Sequence, residues 1–156
     1  MRRRRFLLFP IGASLFLLER AAAAVRGDEV MYVGGTLTDI PDRTEVKLDL
    51  ESSTEAVFNS KKGSFRFLYA NVGSLEYGQK AGRRVGVALV VNPLFLFSKK
   101  RRHYLTVGFK DADGQQQGAV LEVGKKHIRG VIDVLESRSG QKVEYESEEA
   151  REHVGN

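Results

Sequence analysis

Lys99, Lys100, Arg101 and Arg102 follow directly on Leu94, Phe95, Leu96 and Phe97. An apolar wedge beside a cationic strip is the combination that a peripheral contact with an anionic membrane surface uses. Lys61, Lys62, Arg83, Arg84, Lys125 and Lys126 are the further cations that would join such a surface. Leu94–Phe97 would serve equally to plug the end of a β-barrel, the use favoured here, with the lysines and arginines solvating turns and blunting sheet edges. Glu76 stands beside Tyr77 among apolar and aromatic neighbours, where its pKa could be raised toward catalytic use. A structural pairing with Arg83, Arg84 or a backbone amide accounts for it more simply. His103 and His127 each adjoin a lysine or arginine and are expected as solvated side chains. Phe65, Phe67 and Tyr69 with Arg66 are the residue types of a base-stacking platform, but their alternation is that of a core strand, so nucleic acid is not an expected partner. The sequence carries no Ser-centred elbow, no Gly-rich phosphate loop and no paired-histidine zinc spacing. It also has no cysteine, which excludes disulfides and cysteine-ligated metals. No catalytic residue, metal or cofactor is assigned.

A chain of 156 residues with 42% hydrophobic and 29% charged residues suits one domain around one core. The formal charge of +5 is concentrated at the start. Residues 1–24 hold Arg2, Arg3, Arg4, Arg5 and Arg20 against Glu19, and the remainder has twenty basic and nineteen acidic residues, a net +1. The opening segment has a cationic start, an apolar run from Phe6 to Leu18 and a small-residue tract at Ala21–Ala24, the order of a secretory signal peptide. As a helix the run would span only about 20 Å, short of a hydrocarbon core of about 30 Å. Ala22 and Ala24 satisfy the small-x-small requirement, which places cleavage before Val25. Arg3-Arg4-Arg5-Phe6-Leu7 also resembles a twin-arginine signal in part; the general secretory route is favoured. Export to the periplasm or beyond is the expectation, with an uncleaved inner-membrane anchor as the alternative. Past the leader the charge is uneven: −4 over residues 25–53, +9 over 54–143 and −4 over 144–156.

The elements that must position these residues are mostly strands. Thr44–Leu50 alternates Val46, Leu48 and Leu50 with Glu45, Lys47 and Asp49, so one face is buried. Val30–Val33, Thr54–Asn59, Ser64–Val72 and Val85–Val91 are further candidate strands, and Gly73–Gly78 is too short to assign. His103–Lys110 and Gly118–Val123 form a hairpin across Asp111-Ala112-Asp113-Gly114. The period then changes: Ile128, Val131, Ile132 and Leu135 stand at i, i+3, i+4 and i+7, an amphipathic helix over 125–138 with Gly140 as its C-terminal cap. A last short strand is expected within Gln141–Glu146, and residues 147–156 are expected to fray.

Six or seven antiparallel strands followed by one helix predict a mainly β fold of two near-orthogonal antiparallel sheets capped by the C-terminal amphipathic helix. Parallel pairs are not expected, since no crossover lies between the strands. In its strand count, the Asp111–Gly114 hairpin and the terminal helix, the region from about 30 to 145 resembles a pleckstrin-homology-like domain, including the bacterial and GRAM-type relatives. The family commonly has a tryptophan in its last helix, and this chain has none. The loop Gly34–Arg43 holds Asp39 and Asp42 against Arg43, so inositol-phosphate ligands are not carried over. The resemblance implies a scaffold for docking lipids, peptides or proteins. The resulting expectation is an exported, non-enzymatic binding or scaffolding module of a bacterial envelope, with Lys99, Lys100, Arg101 and Arg102 contacting a protein or an anionic envelope component. A small hydrolase-type enzyme is the rival class.

Overall fold

The computed structural model describes residues 29–79 and 102–155. The leader with Ala22 and Ala24, the strand expected at Val85–Val91, the Leu94–Phe97 wedge, Arg83, Arg84, and Lys99, Lys100 and Arg101 lie outside the described residues. The chain runs β1 (Glu29–Gly35), β2 (Thr44–Asp49), β3 (Glu55–Ser60), β4 (Gly63–Leu68), a 3-10 turn (Tyr69–Asn71), β5 (Val72–Gly78), β6 (His103–Lys110), β7 (Gln116–Val123), α1 (Ile128–Ser139), β8 (Val143–Tyr145) and α2 (Glu148–Gly155).

The fold is mainly β, as expected, but its strands form one curled open sheet in the order β4-β3-β2-β1-β7-β6-β5-β8 and not two orthogonal ones. The reason lies in the β1–β7 ladder. Met31 opposite Glu122 and Gly35 opposite Ala119 join the first meander to the second without a break. Curvature comes from bulges instead, one between Tyr32 and Gly34 and one between Val72 and Ser74. The curl brings Phe65 and Phe67 of β4 within 5.3 and 5.0 Å of Phe109 of β6, ring centre to ring centre. The aromatic strand at Phe65–Tyr69 thus packs inward, against the core.

The α1 stripe fills the hollow of the curl: Ile128, Val131, Ile132 and Leu135 are buried in the same core as Val30, Leu48, Leu105 and Leu121. Gly140 ends the helix in the left-handed conformation at φ 73°, its N–H donating to the Glu136 carbonyl at 2.9 Å. The antiparallel expectation fails at one pair. β8 lies parallel to β5, with Leu75 opposite Val143 and Tyr77 opposite Tyr145. The crossover that a parallel pair needs is supplied by α1, which returns the chain to the open edge of β5. Glu136 shapes that return: its Oε1 accepts from the Val143 N–H at 2.8 Å.

The acidic tail does not fray as expected but forms α2. Ala150 and Val154, four residues apart, are buried against the main core. Ser147 Oγ accepts from the Ala150 N–H at 3.2 Å, and Glu148 and Glu149 occupy the first turn, where the helix dipole favours negative charge. Gly73–Gly78, too short to assign from sequence, belongs to β5. None of the helices among the described residues is long and apolar enough to cross a membrane.

Candidate functional site: a cationic cleft on the outer face

Alternation along β2 sends Thr44, Val46 and Leu48 inward and Glu45 and Lys47 outward. The outward residues meet those of the neighbouring strands in register. Lys47 stands between Glu29 of β1 and Asn59 of β3, and Glu45 lies opposite Met31. Beyond Asn59 the β3–β4 turn carries Lys61 and Lys62, both exposed. Ser60 Oγ fixes that turn by accepting from the N–H groups of Lys62 and Gly63, each at 3.1 Å. Arg43, exposed and just ahead of β2, holds a left-handed backbone at φ 59°. Together these groups line a shallow cleft of about 660 Å³. Among the described residues four cations, Arg43, Lys47, Lys61 and Lys62, face two carboxylates, Glu29 and Glu45, an excess that favours an anionic partner.

The strip expected at Lys99–Arg102 is represented among the described residues by Arg102 alone. Its guanidinium donates to both oxygens of Glu122, at 2.6 and 2.7 Å, so its charge is matched within the sheet. Of the additional cations, Lys61 and Lys62 join the cleft, while Lys125 and Lys126 are exposed in the loop before α1. Arg43 and Lys47 escaped the sequence reading, Arg43 because it closes an acidic loop and Lys47 because it is one outward residue of an alternating strand. The signal that finds them is the pairing of β2 with β3, which sets that outward row beside Lys61 and Lys62.

Glu76 is half-buried between Thr106 of β6 and Glu144 of β8, and its expected partners Arg83 and Arg84 lie outside the described residues. His103 is no solvated histidine. Its Nδ1 shares a 2.6 Å hydrogen bond with the Tyr77 hydroxyl, and the two rings lie at 22° to one another. Burial lowers the His103 pKa, reinforced by the positive charges of His153 and Lys125. Burial raises that of Tyr77. Tyr145 packs edge-on against Tyr77, with the Arg151 guanidinium of α2 over its ring. This cluster fastens α2 to the sheet. His127 occupies the N-cap position of α1. Among the described residues there is no group of three His, Asp or Glu side chains that could hold a metal ion.

No protein-family model matches the chain, and no curated protein matches it.

Proposed function

We propose that the chain is an exported binding module of a bacterial envelope that docks an anionic partner on the outer face of β1, β2 and β3. The observation that carries this is the cleft ringed by Arg43, Lys47, Lys61 and Lys62. It is shallow and open, suited to a surface contact, and it holds neither Glu76 nor a histidine, the groups that the enzyme alternative would need in a pocket. The leader supports export: a cationic start, an apolar run too short to span a bilayer, and Ala22 and Ala24 ahead of Val25. The resemblance to pleckstrin-homology-like domains belongs to the same proposal, as a docking scaffold read from seven strands followed by a helix.

The test measures co-sedimentation with vesicles containing anionic lipid, and retention on immobilised polyglutamate, at low and high salt. Binding is expected at low salt and falls as salt screens it. The triple variant Lys47→Glu, Lys61→Glu, Lys62→Glu should abolish it although Arg2–Arg5 are kept. Binding unchanged in that variant, or absent at low salt, overturns the proposal. Export is tested separately by the N-terminus of the protein from its host, expected at Val25 and contradicted by Met1.

A further inference from the structure

The sheet has two edges, β8 and β4, and they are finished differently. β8 is three residues long, and the Val143 N–H, which faces away from β5, is taken by Glu136. α2 follows at once and lays Arg151 over the Tyr145 ring. β4 has no such finish among the described residues. Its six residues run in unbroken register with β3, from Ser60 opposite Gly63 to Glu55 opposite Leu68, with no proline and no bulge. An edge of that kind is a template for another strand.

Register fixes which groups are left over. Ser60 and Gly63 close the two-residue Lys61-Lys62 loop as a hydrogen-bonded pair, and bonded and non-bonded pairs alternate from there. Phe65 and Phe67 therefore bond to β3, whereas the N–H and C=O of Ser64 and Arg66 and the N–H of Leu68 point away from it. The side chains alternate as well. Phe65 and Phe67 face the core, with Phe65 half-buried at its margin, and Ser64, Arg66 and Leu68 stand exposed on the outer face. At 47% exposed, Leu68 is the one large apolar side chain left open among the described residues.

We infer that the β4 edge takes an extended segment of a partner protein, acidic and apolar by turns, as an added antiparallel strand. The unused backbone groups supply the hydrogen bonds, and charge selects the partner. β4 and its turn carry three exposed cations, Lys61, Lys62 and Arg66, and no acidic residue; Glu55 of β3 and Asp39, whose carbonyl lies beside Gly63, are neighbouring carboxylates. Arg66 lies 3.6 Å from Glu55 yet keeps 68% of its side chain exposed. A carboxylate of the added strand opposite Arg66, and another opposite Ser64 toward Lys62, would match these charges. Apolar residues between and ahead of them would cover the open side of Phe65 and Leu68. A second copy of the chain fits less well: pairing two β4 edges over their full length sets the Arg66 side chains directly opposite one another, which is destabilising. The edge shares only the Lys61-Lys62 turn with the cleft, so docking here is independent of the anionic docking proposed above.

The probe is the capped, fluorescein-labelled hexapeptide VVEVEE, titrated with the full chain and followed by fluorescence anisotropy. Aligned antiparallel to β4, its first valine stands opposite Leu68 and its glutamates opposite Arg66, Ser64 and Gly63. Saturable binding is expected. N-methylation of the first two glutamates, whose amides face β4, should weaken it at least about tenfold, while N-methylation of the second and third valines, whose amides face away, should change it by less than about twofold. Arg66→Glu should weaken binding by a similar factor of about ten. Ser64→Pro should abolish it, because the proline removes an edge N–H that β3 does not use and so leaves the hairpin intact. Lys47→Glu, in the cleft, should leave it unchanged. Absence of binding, or equal losses from the two methylation patterns, overturns the inference. Binding lost in Lys47→Glu and kept in Arg66→Glu would assign the peptide to the cleft and overturn it too. A dimer of the chain that Ser64→Pro dissociates would give the edge to a second copy, with the same consequence.

Discussion

Phe67 of β4 and Phe109 of β6 stack with ring centres 5.0 Å apart and planes at 19°, although β3, β2, β1 and β7 lie between their strands in the sheet. The contact is possible only because the sheet curls until its first edge faces its second half. Phe65 and Phe58 extend the same cluster, so four rings from three strands hold the curl.

Truncating the ring that all this converges on should be costly. Phe109→Ala is expected to lower stability by about 3–5 kcal/mol, the range for emptying a buried aromatic site, and Phe65→Ala by less because Phe65 is half-exposed. Urea midpoints measure both; equal losses would mean that the cluster does not hold the curl.

Much of this fold could be read from the residues. The 103–123 hairpin is legible because Asp111–Gly114 is a local turn signal, and α1 because its stripe repeats at helical spacing. What escaped is non-local. Whether one sheet or two forms depends on the β1–β7 ladder between residues nearly ninety positions apart, to which no local pattern points. The parallel β5–β8 pair is hidden for the same reason. α2 was missed because only two apolar residues, Ala150 and Val154, mark its buried face in an acidic segment. The cleft was half legible: Lys61 and Lys62 stand out as a run, whereas Arg43 and Lys47 gain meaning only from cross-strand register.

Arg138 is expected to be among the most sensitive charged residues. Its Nη1 donates to the carbonyls of Leu50 and Ser52 and to the Tyr69 hydroxyl, and its guanidinium lies 5.4 Å from the centre of the Tyr69 ring. Arg138→Met keeps the apolar stem and strands these acceptors, at about 2–3 kcal/mol, while Tyr69→Phe removes one bond at about 1 kcal/mol. Combining the two should cost less than the sum, since they share a bond. Strict additivity in thermal melts would contradict the arrangement.

Gly35 tolerates no side chain. Its φ of 154° is one that L-residues rarely adopt, and an added Cβ would lie 2.2 Å from the Gly118 carbonyl oxygen of β7. Because that contact is backbone, relief requires parting the β1–β7 ladder. Gly35→Ala should therefore destabilise by about 3 kcal/mol or more. A melting temperature within a degree or so of the parent would show that the ladder yields easily.

His103 makes the α2 clasp sensitive to acid. Its pKa is lowered in the folded protein by burial first and then by His153 and Lys125, so folding favours the neutral ring. From this group no penalty exists above its ordinary value of 6.5, and the penalty grows as the pH falls from there through the lowered folded value. Stability should accordingly drop between neutral pH and about pH 5. His103→Gln keeps a hydrogen-bonding group beside Tyr77 but cannot titrate, and should flatten that part of the profile. His153→Gln removes one of the opposing charges and should move the His103 titration, followed by NMR of its ring proton, back toward 6.5. The proximity of α2 to His103 predicts more than a global effect. Arg151 of α2 over the Tyr145 ring of β8 joins the helix to the sheet, so amide exchange in α2 should rise on acidification before exchange in β6 and β7 does. Simultaneous loss of protection in all three elements would separate the titration from the clasp and leave His103 with only a global role.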